Sequence, residues 1–79
     1  MILKIISSED IVFEGEVVLV TLPGSNGSFT VLNNHASLVS TLESGRIFYR
    51  KSEGDERVSL PVDGGLVDVD DNVVSVCLY

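Results

Sequence analysis

Gly24 to Leu42 reads GSNGSFTVLNNHASLVSTL, and its punctuation decides what kind of fold this chain can adopt. The glycine-flanked cluster from Gly24 to Ser28 reads as a tight turn, and Phe29, Val31 and Leu32 as a short strand. Asn33 to Ser37 reads as a second turn, and Leu38 to Leu42 as another short strand. Short strands separated by compact turns predict a small β scaffold carrying two exposed loops. Loops held on a rigid sheet are where function concentrates, and the only histidine of the chain, His35, lies in the second of them.

Working outward toward the N-terminus, Val17 to Leu22 carries the strongest strand signal. It is a run of Val, Leu and Thr stopped by Pro23-Gly24, and its continuous apolarity predicts burial on both faces. Met1 to Ile6 is apolar apart from Lys4, and the β-branched Ile2, Ile5 and Ile6 favour a strand. Ser7 to Asp10 is a polar turn. Ile11 to Phe13 opens a further extended run that Gly15 interrupts, the mark of a bulge or a close backbone approach.

On the other side, Gly45 to Lys51 contains Ile47, Phe48 and Tyr49, and Ser52 to Glu56 forms a charged hairpin turn. Arg57 to Val62 resumes the alternation, with Pro61 predicting a strand end or a sheet edge. Gly64-Gly65 reads as a tight turn or a place where two backbones approach. Leu66 to Val69 alternates with Asp68 and Asp70, Asp71-Asn72 turns the chain, and Val73 to Tyr79 closes it. No stretch shows a helical i, i+3, i+4, i+7 apolar pattern. Roughly eight or nine short strands at spacings of about 8 to 12 residues mark an all-β sandwich or barrel.

Seventy-nine residues make one domain, 1–79, and a chain this short buries only about 60 to 65 % of the surface its unfolded form exposes. The single cysteine, Cys77, excludes an internal disulfide and argues against cysteine-rich zinc sites. A formal charge of -7 with five basic residues argues against nucleic acid as a partner, because that affinity comes largely from Lys and Arg displacing counterions. The N-terminus lacks a basic region followed by an apolar core, and no apolar run approaches the ~20 residues that span a bilayer. The chain therefore reads as soluble and cytosolic, and the Asn26-Gly27-Ser28 sequon as accidental.

Catalytic and metal motifs are weak. His35 is the one conventional base near neutrality, with Ser37 and Ser40 close by, but strand geometry separates neighbours and no nucleophile-elbow pattern is present. Asp68, Asp70 and Asn72 imitate the first ligands of a calcium loop. That motif then fails, with Val73 where the turn wants Gly and Tyr79 where a bidentate Glu is needed. An interaction domain is the reading the residues support, with a free-standing β-sandwich that binds a small ligand or carbohydrate as the alternative. Five aromatics without Trp make a poor platform for the latter.

Several ordered stretches together resemble the N-terminal β-sandwich of the epsilon subunit of F-type ATP synthase, called delta in mitochondria. They are Phe13-Glu-Gly-Glu-Val17, Leu22-Pro-Gly24, Gly27-Ser-Phe29, Val31-Leu32, Asn34-His-Ala36, Leu38-Val39, Gly45 and Val62-Asp-Gly-Gly65. The resemblance implies a two-sheet sandwich of roughly eight to ten short strands. It also implies a non-catalytic rotor subunit without a cofactor, set between the gamma subunit and the polar loops of the membrane c-ring. The complex would lie at the cytoplasmic face of the bacterial plasma membrane, with this subunit peripheral and without a lipid anchor of its own.

Carried over residue by residue, Ser25, Asn26, Gly27 and Ser28, with Asn34, His35 and Ala36, would face the c-ring, and Leu38 and Val39 would face gamma. Where the family commonly has proline, this chain has Asn33 and Ser37, which removes two residues that fix φ and predicts a more mobile turn. The family's common Gly is Thr30 here, and the acidic residue some members place near Ser28 is absent. Most bacterial members continue into a two-helix C-terminal domain. If Tyr79 ends the natural protein, neither helical inhibition of ATP hydrolysis nor ATP sensing is expected of this subunit; if the protein continues, both are open.

Overall fold

Period-2 burial runs through the computed structural model, which describes residues 1–8 and 10–79. Its described residues form nine strands: β1 (Ile2–Ser7), β2 (Asp10–Glu16), β3 (Leu19–Leu22), β4 (Phe29–Leu32), β5 (Leu38–Leu42), β6 (Gly45–Arg50), β7 (Val58–Val62), β8 (Gly65–Asp70) and β9 (Val73–Leu78). They make a five-stranded sheet ordered β2-β1-β9-β8-β5 and a four-stranded sheet ordered β4-β3-β6-β7. All pairs are antiparallel except β1 with β9. The two-sheet, all-β expectation holds.

One face of each sheet supplies the core. Leu3, Ile5, Val67, Val69, Val74 and Val76 come from the five-stranded sheet, and Val20, Leu22, Val31 and Ile47 meet them from the four-stranded one. Each such side chain contributes about 1.5 to 3 kcal/mol relative to exposure. β8 shows the alternation most cleanly: Val67 and Val69 point inward while Leu66, Asp68 and Asp70 are exposed.

Two local expectations change. Val17 to Leu22 is not one strand buried on both faces, because Val17 and Val18 carry the chain from one sheet to the other. The Val17 N–H donates to Met1 O at 2.9 Å and the Val18 N–H to Arg50 O at 2.9 Å; β3 then starts at Leu19 and alternates, with only Val20 and Leu22 fully buried. The bulge of β2 lies at Val12 and not at Gly15. Ile5 pairs with Phe13 and Ile6 with Ile11, leaving Val12 as the extra residue, while Gly15 makes room for the Phe13 ring.

Other readings stand. Pro61 lies on β7, an edge strand, where its missing N–H leaves no ladder bond unmade. Gly64 has φ +136, and a Cβ on Gly65 would run into the carbonyl oxygen of Cys77. The Asp71-Asn72 turn has φ of 51 and 62 at its two residues, the pattern of a two-residue hairpin turn whose twist matches the flanking strands. Of the turn expected over Ser7 to Asp10, Glu9 lies outside the described residues.

Candidate functional site

The four-stranded sheet ends at β4 and the five-stranded sheet at β5, and these two edges share one side of the sandwich. At one end they are stitched by the pairing of Gly24 with Leu42 and by the Ser25 N–H donating to Thr41 O at 3.0 Å. At the other end the turn from Asn33 to Ser37 joins them directly. All nine residues expected at an interface lie along this side. The two turns are not adjacent, however: they sit at opposite ends of β4, whose four residues span about 10 Å at roughly 3.3 Å per residue.

The first turn is exposed from Ser25 to Ser28. The Gly27 N–H closes it on Gly24 O at 2.9 Å, and Gly27 itself takes φ +125. Gly24 must remain glycine for packing, since a Cβ there would stand 2.6 Å from Gly27 O and 2.8 Å from the Phe29 ring. Ser25 Oγ accepts from Thr41 Oγ1 at 2.8 Å, fixing the turn to β5.

The second turn is where this chain differs from its expected pattern, and hydrogen bonds stand where prolines would. Asn33 Oδ1 accepts from the Met1 amino group at 2.6 Å. The Asn34 N–H donates to Asn72 Oδ1 at 2.8 Å. Ser37 Oγ donates to Asp70 Oδ1 at 2.7 Å, and the His35 N–H donates to Leu32 O at 3.2 Å. Asn34 adopts φ 64, a left-handed conformation that Asn tolerates better than most residues. The turn is thus tied to the β8–β9 hairpin.

His35 is exposed, and its Nδ1 lies 2.7 Å from Ala36 O. Neither nearby serine is turned toward it: Ser37 Oγ is engaged with Asp70 and Ser40 Oγ with Thr41 O at 3.0 Å. Asp70, first considered as an oxygen ligand, is instead the acceptor that holds Ser37. The described residues enclose no cavity that would seat a small ligand.

Leu38 and Val39 divide in role. Leu38 is half-buried against the core, whereas Val39 is 68% exposed and stands opposite Asp68 on β8. Leu32, on the edge strand β4, is 54% exposed as well. Val39 faces outward from the five-stranded sheet and Leu32 from the four-stranded one, and an exposed apolar side chain beside polar turns is suited to protein contact. Asn72, Asp70 and Ser37 escaped the sequence reading as anchors, because their effect arises from a hairpin more than thirty residues away in the chain.

The family model described as ATP synthase, Delta/Epsilon chain, beta-sandwich domain, matches residues 1–78. The chain belongs to that family. The ATP synthase epsilon chain of Leptospira borgpetersenii serovar Hardjo-bovis (strain JB197) is 45% identical over 73 residues, which are 92% of this chain and 56% of the relative. The ATP synthase epsilon chain of Sulfurovum sp. (strain NBC37-1) is 44% identical over 71 residues, 90% of this chain and 55% of the relative. The chain therefore spans about half the length of these curated relatives.

Among solved structures, a chain in the cryo-EM structure of Euglena gracilis mitochondrial ATP synthase, OSCP/F1/c-ring in rotational state 1, superposes with a TM-score of 0.90 at 25% identity, covering 99% of this chain and 49% of that one. A chain of the Tetrahymena thermophila mitochondrial ATP synthase central stalk/c-ring structure shares the fold, with a TM-score of 0.83 at 16% identity, covering 99% of this chain and 62% of that one.

Proposed function

We propose that this chain serves as the epsilon-type β-sandwich of a non-catalytic central-stalk subunit in an F-type ATP synthase, linking the gamma subunit to the c-ring so that ion-driven rotation is coupled to ATP synthesis. The observation that carries the reading is the family match over residues 1–78. The geometry supports it, because the residues expected at the two interfaces lie along the edge strands β4 and β5 and the turns at their ends.

In this reading the c-ring contact is a strip along the β4 edge. Ser25, Asn26, Gly27 and Ser28 touch the ring's polar loops from one end and Asn34, His35 and Ala36 from the other. Val39, with the exposed part of Leu38, meets gamma. The subunit works peripherally, at the cytoplasmic face of a bacterial plasma membrane, through the complex alone.

The test is co-purification of the 79-residue chain with the gamma subunit encoded by the same genome, followed by addition of the detergent-solubilised c-ring. A complex with gamma is expected, weakened by Val39→Asp and left intact by His35→Ala, whereas His35→Ala weakens retention on the ring. No association with gamma at micromolar concentration would refute the assignment.

A further inference from the structure

The outer face of the four-stranded sheet gathers three of the five basic residues of the chain. Alternation along β6 buries Ile47 and Tyr49 and turns Arg46, Phe48 and Arg50 outward, where Leu19 stands beside Arg50 and Thr21 beside Phe48. Arg57, just before β7, places its guanidinium carbon 4.9 Å from the centroid of the Phe48 ring. These are the three arginines of a chain whose formal charge is -7. Their strand neighbours on this face are Ser59 and Pro61 on β7 and Thr30 and Leu32 on β4, and none is a carboxylate.

Among the described residues, each guanidinium is positioned without an ion-pair partner. Arg46 Nε and Nη2 both donate to the single acceptor Ser59 Oγ, at 3.3 and 3.1 Å. Arg57 lies on an aromatic ring. Arg50 Nε is buried and has no hydrogen-bond partner among the described residues. The nearest acidic residues in sequence are Glu43, ahead of β6, and Glu53, Asp55 and Glu56 in the turn beyond it, where Asp55 already accepts from Ser52 Oγ at 2.6 Å.

We propose that this face docks an acidic polypeptide segment, with carboxylates on Arg46, Arg50 and Arg57 and an apolar side chain against Leu19 and Leu32. Planar guanidiniums match carboxylates bidentately. Arg46 and Arg50 lie four residues apart on one strand, about 13 Å at roughly 3.3 Å per residue, so an extended partner with acidic residues at i and i+4 reaches both. A single-stranded nucleic acid fits less well, because Arg57 already covers the Phe48 ring on which a base would stack.

The decisive experiment titrates the isotope-labelled 79-residue chain with a capped peptide carrying glutamates four residues apart and leucine between them. Amide shifts are expected to move at Leu19, Leu32, Phe48 and Arg50, and to diminish with salt. The same peptide with glutamine for glutamate, or the chain with Arg50→Gln and Arg57→Gln, is expected to bind at least about tenfold more weakly. Arg57 is exposed, so Arg57→Gln alone provides a variant with an intact fold. The proposal fails if the shifts map to the five-stranded sheet, if the glutamine peptide binds equally, or if the arginine substitutions leave affinity unchanged. It fails equally if a thymidine oligonucleotide or phosphatidylglycerol vesicles bind more tightly than the acidic peptide.

Discussion

Replacing Asn72 by glycine separates the hold on the second turn from the fold that provides it. The Asp71-Asn72 turn needs positive φ at both positions, and glycine at the second is the most favourable choice for such a turn, so the β8–β9 hairpin is retained. The backbone contact in which the Ile2 N–H donates to Asn72 O at 3.1 Å survives too. What disappears is Oδ1, the acceptor for the Asn34 N–H at 2.8 Å. An exposed bond of this kind is worth about 1 kcal/mol. The turn's local opening constant should therefore rise roughly fivefold.

That number sets what each assay will see. Amide exchange at Asn34, measured by NMR, should quicken by about fivefold, with Ser37 less affected because its own bond to Asp70 remains. Global melting should fall by no more than ~6 °C, since about 1 kcal/mol divided by roughly 2.1 cal/mol/K per residue gives that shift for a chain of this size. Partner affinity should barely change. If the turn is ordered ~99% of the time, a fivefold rise in opening leaves it ordered about 95% of the time, and apparent affinity scales with that fraction. Unchanged exchange at Asn34 would refute the claim that Asn72 anchors the turn, and a large loss of melting temperature would show that glycine disrupts the hairpin.

Four further outcomes follow from the same structure. Gly65→Ala places a methyl against the Cys77 carbonyl on neighbouring backbone that cannot rotate away; a cost of about 3 kcal/mol is expected, seen as a fall in melting temperature of roughly 18 °C. Asn34→Val forces a β-branched residue to φ 64 and should destabilise by about 1 to 2 kcal/mol in chemical denaturation, whereas Asn34→Gly should be nearly neutral. Ile47→Ala, at a fully buried site, should cost about 2 to 5 kcal/mol by the same measurement. Burial pushes the Tyr49 phenol above its ordinary value. A folded-state pKa raised over the unfolded one means this contribution to stability is complete below about pH 10 and is lost as pH rises toward the folded pKa. Tyr49→Phe should flatten that alkaline decline in melting temperature.

The layout of strands was legible because alternation and turn chemistry are local. Val67 and Val69 against Asp68 and Asp70 declare which face is buried, and Asp71-Asn72 or Ser52 to Glu56 declare where the chain reverses. Two errors mark where local reading stops. Val17-Val18 looks like the start of a strand buried on both faces, yet these residues bond to different sheets, a fact that depends on Met1 and Arg50 being brought alongside. Gly15 looks like the bulge, but the Phe13 ring fills the space glycine leaves, and the register slips at Val12 instead. The residues of the candidate site were legible only through resemblance to a family. Nothing in the composition of Ser25 to Ser28 or Asn34 to Ala36 distinguishes a docking turn from an idle one.

Asn33 and Ser37 stand where the family commonly has proline, and in the structure both side chains make hydrogen bonds in place of the ring. Proline restrains a turn by narrowing φ within one residue, whatever surrounds it. Here the restraint comes from Asp70 and Asn72 on a neighbouring hairpin and from the Met1 amino group, so the turn is ordered only while β1, β8 and β9 are in place. Turn order is thereby coupled to folding of the five-stranded sheet. A partner that binds the ordered turn must stabilise that sheet by mass action, and a substitution that weakens the β8–β9 hairpin must loosen a contact surface it never touches.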